Sequence, residues 1–389
     1  MVNEVIERLK SVVTTPAPLH EPTFDGKEEQ YTRDCIVTGW VSSVGAYVDR
    51  FEKDLASFCG VRKAVALSNG TSALDLALRA LGVQAGDEIL VPAVSFAATA
   101  NAVTYSGAIP HFVDVGTELP NLDPQVLREY LESVAAKKNG ETWNRKTNRR
   151  IFGIIPVHVF GHPVDMEGIL PICQEFNLRL IEDAAEALGS YYQGKHVGHW
   201  GELSMLSFNG NKIVTTGGGG ALLTQNEELG KRIKHLSTTA KVPHPWRFDH
   251  DAVGFNYRLP NLNAALGCAQ LERLNSFIEE KRKLAQLYFK LFEGLPGLSV
   301  LREPKNTASN YWLNAIAFDR PDGKLRDEVL GHLHERSILV RPLWTTLPTL
   351  RHFKDCPQSD LTNSLSWEQR IVCLPSGVKV WRAYEAKKA

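Results

Sequence analysis

From about residue 60 the chain alternates short apolar runs with helical stretches, and that alternation limits its fold more than any other feature. Val65-Ala66-Leu67, Glu88 to Val91, Ile109 to Val115, Ile151 to Val159, Leu178 to Glu182, Leu203 to Phe208 and Ala221 to Thr224 read as strands. Amphipathic stretches at Ala73 to Leu81, Thr99 to Tyr105 and Pro124 to about Ala136 stand between the earlier ones. Strands spaced by helices indicate a mostly parallel sheet covered on both faces, so the expected class is α/β with seven strands in the main sheet. In such a sheet ligands collect at the carboxyl ends of the strands. After about residue 245 the pattern changes. A long helical pattern, Leu262 through Phe292, leads into Tyr311 to Phe318, Leu325 to Arg336 and Leu339 to Arg341, which read as a smaller α+β domain.

Composition excludes several classes of function. Lys+Arg and Asp+Glu both number 44 in 389 residues, so no net charge draws the chain to nucleic acid or an anionic membrane. The segment Lys137 to Arg150 is basic but carries one aromatic, Trp143, and reads as a solvated connecting loop. Six scattered cysteines form no C-x-x-C and read as reduced thiols, most packed as small apolar residues. His244, Asp249 and His250 match no familiar metal-ligand spacing, so no metal is expected and an ordered polar loop near the active site is the better reading. MVNEVIERLKSVV has mixed charge and no long apolar centre, unlike a signal peptide, and no run reaches the roughly 20 apolar residues of a membrane helix. The expectation is a soluble cytoplasmic protein.

Two motifs sit at strand ends: Glu182-Asp183-Ala184-Ala185-Glu186, and Ser207-Phe208-Asn209-Gly210-Asn211-Lys212 running into Thr215-Thr216-Gly217-Gly218-Gly219-Gly220. They place a carboxylate, a hydroxyl and an amine at one sheet edge. That set suits pyridoxal phosphate, with Lys212 for the aldehyde, Asp183 for the ring nitrogen and Ser207 for the phosphate. A lone loop lysine is ordinarily a solvated surface residue; here it follows a buried strand and precedes a glycine run built for close approach. Asp183 has a second reading as a helix N-cap. Gly70, Thr71 and Ser72 open the first helix after a strand, where free N–H groups and hydroxyls suit a phosphate and equally suit plain capping. Phe96, just past the second strand, is placed to stack on a pyridine ring or to fill the core.

Taken in order, SNGTSALDLAL, GDEILVPAVSFAATANAV, GAIPHFVDV, DAAEALGS, SFNGNK, TTGGGGALLT, GFNYRLPNLNAALGCAQLERL and VRPLW resemble the fold-type-I pyridoxal-phosphate aminotransferases that aminate nucleotide-linked keto sugars, the DegT/DnrJ/EryC1/StrS type. The resemblance runs from about Leu19 to Pro375. LHEPTFDGKEEQYTRDCI, GWVSSVGAYVDRFE and SNYWLNAI look like the 4-aminotransferases of legionaminic-acid and bacillosamine pathways. The resemblance implies an N-terminal arm and substrate loop at 1–45, a large cofactor-binding domain at 46–245 and a small C-terminal domain at 246–389. It implies Lys212 as the Schiff-base lysine, Asp183 as the pyridine partner, Thr71, Ser72 and Ser207 on the phosphate, Phe96 over the ring, and Glu186 near the phenolic oxygen. Asn256 would reach the phosphate of a second subunit, giving a homodimer with shared active sites. Ser42, Ser43, Tyr311, Arg341 and Trp344 would border the sugar nucleotide. The implied reaction moves an amino group from L-glutamate, which leaves as 2-oxoglutarate, to C4 of a nucleotide-linked 4-keto-6-deoxy hexose, a 2-acetamido sugar on UDP or GDP. A dehydratase or eliminase on the same fold, and a cofactor-binding regulator without turnover, are the alternatives; relatives that dehydrate carry histidine in place of the lysine, and this chain keeps Lys212.

Overall fold

The computed structural model describes residues 1–388. Strands β1 (Lys63–Leu67), β2 (Glu88–Pro92), β3 (Ile109–Val113), β4 (Ile151–Ile154), β5 (Arg179–Asp183), β6 (Leu203–Ser207) and β7 (Gly220–Thr224) form one sheet, in the order β1-β7-β6-β5-β4-β2-β3. β7 runs antiparallel to both its neighbours, and the other pairings are parallel. Alternation along the strands explains why both faces are apolar. Val65, Leu67, Met205 and Leu222 pack against helices α1 (Gly70–Leu81) and α2 (Ala98–Tyr105). Their neighbours Ala64, Ala66, Leu206 and Leu223 face the opposite way, onto helix Ala46–Cys59 and the start of α3 (Asn261–Phe292).

A second, antiparallel sheet contains β8 (Leu298–Val300), β9 (Asn314–Phe318), β10 (Arg341–Pro342) and β11 (Ile371–Leu374), in the order β8-β9-β11-β10. α3 joins the two layers. At 32 residues it spans about 48 Å. Its first half (Ala264, Cys268, Leu274) belongs to the core of the main sheet, and its second half (Leu284, Tyr288, Phe292) to that of the second. The beginning of the expected N-terminal arm is a helix, Val2–Val12, whose Val5, Ile6 and Leu9 are buried against the second sheet. The division expected near residue 245 falls in an exposed loop, where Trp246 and Phe248 are each 76% exposed.

One expectation is corrected. The basic stretch after residue 136 is not a plain loop: Ala135–Lys138 and Glu141–Asn144 pair as an antiparallel hairpin. Apart from Ala135 its buried residues, Thr142 and Asn144, are polar, so no apolar alternation marks it. Thr142 donates to the Phe176 carbonyl. The Asn144 amide donates to the buried Glu88 carboxylate at 2.8 Å, which also meets His111 Nδ1 at 2.8 Å. Among the described residues no helix is long and apolar enough to cross a membrane. All six cysteines are free, and five are buried.

Candidate active site

β5 ends in two adjacent carboxylates, and the two-residue period of a strand sends them to opposite sides. Glu182 accepts the N–H groups of Gly198 at 2.8 Å, Trp200 at 2.9 Å and Gly201 at 2.8 Å, and its Oε2 lies 3.2 Å from His158 Nε2. It is a fully satisfied structural acid. Asp183 instead lines a cavity of about 340 Å³ at the carboxyl end of the sheet. Thr99 Oγ1 donates to Asp183 Oδ2 at 2.7 Å, and the Ala185 N–H to Oδ1 at 3.1 Å. Ser95 Oγ holds Thr99 Oγ1 from the other side at 2.7 Å. Burial raises the Asp183 carboxyl above the usual carboxylate range, against Thr99, Ala185 and the more distant charges of Lys212 and His158. The ionised form therefore gains from a cationic N–H partner at this end of the cavity.

Lys212 comes from the turn after β6, where its N–H donates to the Asn209 carbonyl at 2.9 Å. Its amine stands 3.9 Å from the centre of the Trp312 ring and 3.4 Å from Glu186 Oε1. The Trp312 indole N–H donates to the Asn211 carbonyl at 2.8 Å, fixing the residue before the lysine. Glu186 Oε2 accepts the Phe160 N–H at 2.8 Å. Burial, opposed by Lys212, lifts the Glu186 carboxyl to about 7.

The third wall is the start of α1. Asn69 caps it, accepting the Ser72 N–H at 2.8 Å. Gly70 and Thr71 line the cavity with Ser207. A Cβ on Gly70 would lie 2.8 Å from Met205 Sδ and 3.3 Å from Ser207 Cβ, and one on Gly220 would lie 2.5 Å from the Asn69 carbonyl carbon. These glycines let a helix N-terminus, with its unpaired amides, approach β6 and β7 closely.

Of the residues singled out from sequence, Gly70, Thr71, Phe96, Asp183, Glu186, Ser207, Lys212 and Trp344 line this one cavity. Phe96 is 60% exposed, and Trp344 packs on Phe160 with ring centres 5.5 Å apart. Ser72 opens onto a neighbouring depression with Asp75, Tyr105 and Tyr257. Ser42, Ser43, Asn256 and Arg341 are not among the cavity's lining residues, and Ser42, Asn256 and Arg341 are exposed. Tyr311 is 1% exposed and packs in the core against His162 and Phe289. The loop from His244 to His250 lines no part of the cavity, and no metal-binding cluster exists among the described residues. Trp312 and Thr99 are the residues the sequence reading missed. Trp312 stood beside Tyr311 in SNYWLNAI, and Thr99 is the second residue of α2, three residues after Phe96.

The donor set fits pyridoxal phosphate: an acid at one end, an amine within the cavity, and a helix N-terminus with a hydroxyl for the phosphate. Fold and site together define a fold-type-I aminotransferase. The chain belongs to the DegT/DnrJ/EryC1/StrS aminotransferase family, whose pattern matches residues 22–384, and it is a pyridoxal-phosphate-dependent aminotransferase. It is 37% identical over 362 residues to a GDP-perosamine synthase of Vibrio cholerae, covering 92% of this chain and 93% of that one. It is 35% identical over 363 residues to the putative pyridoxal phosphate-dependent aminotransferase EpsN of Bacillus subtilis, covering 92% and 90%. Among solved structures, the aminotransferase TlmJ of Streptoalloteichus hindustanus superposes with a TM-score of 0.83 at 26% identity, covering 96% of this chain and 100% of that one.

Proposed function

We propose that the protein transfers an amino group from L-glutamate to C4 of a nucleotide-linked 4-keto-6-deoxy hexose, a 2-acetamido sugar on UDP or GDP. The observation that carries this reading is the convergence of Lys212, Asp183, Glu186 and the N-terminus of α1 on one cavity at the carboxyl end of the sheet. Relatives named GDP-perosamine synthase, at 35–37% identity, and one named dTDP-3-amino-3,4,6-trideoxy-alpha-D-glucose transaminase, at 29%, support a sugar nucleotide as the acceptor.

Pyridoxal phosphate, when bound, supplies an aldehyde that carries the amino group and a ring that withdraws electrons from the carbon losing its proton. Asp183, oriented by Thr99, holds the proton on the ring nitrogen. The Gly70 and Thr71 amides and the Ser207 hydroxyl bind the phosphate. Glu186, lifted to about 7 by burial, keeps a proton near neutral pH and would offer it to the cofactor's phenolic oxygen. The Lys212 amine takes the proton from Cα of glutamate and later delivers one to C4 of the sugar, a positioned base and acid worth about 10²–10⁴-fold. Phe96 and Trp344 narrow the mouth and exclude water. Donor and acceptor use the same cavity in turn, so the kinetics are ping-pong.

The active form is a homodimer with shared sites. Lys212 is the one lysine, arginine or histidine among the residues lining the cavity, although the cofactor, glutamate and the nucleotide are all anionic. The further donors come from a second copy. Ile36, Val37, Trp40 and Val44, at 58–75% exposure, form an uncovered apolar surface for it, and Asn256 is free to reach across. The test is to incubate the holoenzyme with glutamate and a panel of UDP-, GDP- and dTDP-linked keto sugars, with and without a 2-acetamido group, and to follow product mass. Gain of one amine with stoichiometric 2-oxoglutarate is expected. Loss of water from the sugar with no donor consumed would replace this reading with the dehydratase.

A further inference from the structure

The wall that carries Lys212 is held from behind by a second buried lysine. Lys281, in the middle of α3, is 0% exposed. Its amine donates to the Trp312 carbonyl at 3.0 Å and to the Ser376 carbonyl at 2.5 Å. Trp312 passes that anchoring on. Its own N–H donates to Asn310 Oδ1 at 2.8 Å, its indole N–H to the Asn211 carbonyl at 2.8 Å, and its ring face carries the Lys212 amine at 3.9 Å. One continuous path therefore runs from Lys281 through the main chain and side chain of Trp312 to the main chain before Lys212 and to the amine itself.

A buried ammonium is a poor way to fill a core position. Its desolvation costs several kcal/mol, roughly, and replacing a buried charge by an apolar residue of similar volume is often neutral or stabilising. Burial accordingly depresses the Lys281 amine to about 7, with Glu21 opposing. The surroundings are polar and only partly satisfied. Lys281 and Lys212 line a void of about 10 Å³ together with His20, Glu21 and Thr23. Both His20 ring nitrogens, Glu21 Oε2 and Thr23 Oγ1 are buried without a hydrogen bond from the chain. A void of that size among polar atoms suits one water, which the one remaining donor of the Lys281 ammonium can use. Packing alone does not call for a lysine here.

We propose that Lys281 is a positioning residue for the Lys212 amine and acts through Trp312. The inference rests on the reading of Lys212 as the catalytic amine. The test compares holoenzyme carrying Lys281→Met, Trp312→Phe and both, measuring kcat and KM for glutamate and for the sugar nucleotide. Lys281→Met is expected to lower kcat at least tenfold while each KM stays within about threefold and thermal stability holds. Trp312→Phe keeps a ring and loses the indole donor, and is expected to lower kcat as well. Because the two act in series, the double variant is expected to fall no further than the worse single one.

A second measurement needs no turnover. Acetic anhydride labelling of Lys212 in cofactor-free protein, read by peptide mass spectrometry, is expected to speed up at least threefold in Lys281→Met and in Trp312→Phe as the amine leaves the ring face. The Trp312→Phe arm decides this point without disturbing a buried charge. A kcat for Lys281→Met within twofold of wild type, losses that multiply in the double variant, or unchanged labelling would each overturn the proposal. If Lys212→Ala is inactive and Lys281→Met is as fast as wild type, this inference alone fails. If Lys212→Ala turns over, the reading beneath it fails.

Discussion

Replacing Glu186 with glutamine removes one titrating group from the cavity and keeps its size. The side chain is 5% exposed, and burial raises its carboxyl from 4.5 to about 7. That difference is worth about 3 kcal/mol at roughly 1.4 kcal/mol per pKa step. The sign follows from which state holds the proton. Below pH 4.5 the folded and unfolded chains are both protonated at this position, and burial carries no penalty. Between 4.5 and about 7 the unfolded chain ionises while the folded one keeps its proton, so stability falls as pH rises. Above 7 the full cost applies. Glutamine has no such dependence. Lys281, lowered to about 7 by burial, acts in the opposite sense by recovering stability as pH rises above 7, but both proteins contain it and it cancels in the difference. At about 2.1 cal/mol/K of unfolding entropy per residue, 389 residues give roughly 0.8 kcal/mol/K, so the effect amounts to about 4 °C. The assay is calorimetric melting of cofactor-free wild type and Glu186→Gln at one scan rate from pH 4 to pH 8. The variant is expected to gain about 4 °C on wild type across that range. A flat difference, or a variant that loses ground as pH rises, would refute the assignment of a neutral-pH proton to Glu186.

Lys212→Ala removes both the amine that meets the aldehyde and the proton carrier, and kcat is expected to fall by at least about 10²–10⁴-fold; near wild-type amination would remove Lys212 from the mechanism. Asp183→Asn keeps the Thr99 contact but cannot hold a proton on the ring nitrogen, so a coloured, cofactor-loaded protein with sharply reduced kcat is expected; no helix follows Asp183, so unchanged kcat would leave it a structural acid holding a turn through the Ala185 N–H instead of the helix cap the sequence also allowed. Asn256→Ala is expected to weaken cofactor binding, and mixing it with Lys212→Ala protein to restore some activity through hybrid dimers. Mixtures as inactive as their components would argue against shared sites. Gly220→Ala places a methyl 2.5 Å from the Asn69 main chain, and is expected to push the start of α1 away and raise the cofactor Kd measured by titration of the cofactor-free protein.

What the sequence revealed of this site, and what it hid, follow from the range over which each residue is positioned. Asp183 and Ser207 end strands, Gly70 and Thr71 start a helix after a strand, and Lys212 follows a strand by five residues. Local pattern places each at the carboxyl edge, and a parallel sheet brings those edges together whatever the strand order. Trp312 and Tyr311 show the limit. Both are aromatic and adjacent in a segment that pattern alone reads as strand. Tyr311 adopts a left-handed backbone conformation, φ 47°, and the strand proper begins only at Asn314. The simple alternation of a strand therefore does not apply to this pair. Tyr311 points into the core toward His162, and Trp312 reaches the cavity. The hairpin at Ala135–Asn144 was hidden for a related reason: its buried side chains satisfy carboxylate and carbonyl partners far away in sequence, and only the folded chain supplies them. The same logic applies to Lys281. From the sequence it is one more cation in the charged run Glu279-Glu280-Lys281-Arg282-Lys283, as solvated as its neighbours. The rotation of α3 buries this one beneath Trp312 and leaves the side chains of Glu279 and Lys283 half exposed or more. Lys281 lies on the buried stripe of α3, with Leu274, Phe277, Leu284, Ala285 and Tyr288, and becomes a fixed point of the site because a helix 32 residues long passes between two cores. The hydrophobic period of α3 marks the face that buries it, whereas its contacts with the Trp312 and Ser376 carbonyls are a property of tertiary packing that neither charge pattern nor hydrophobic period records.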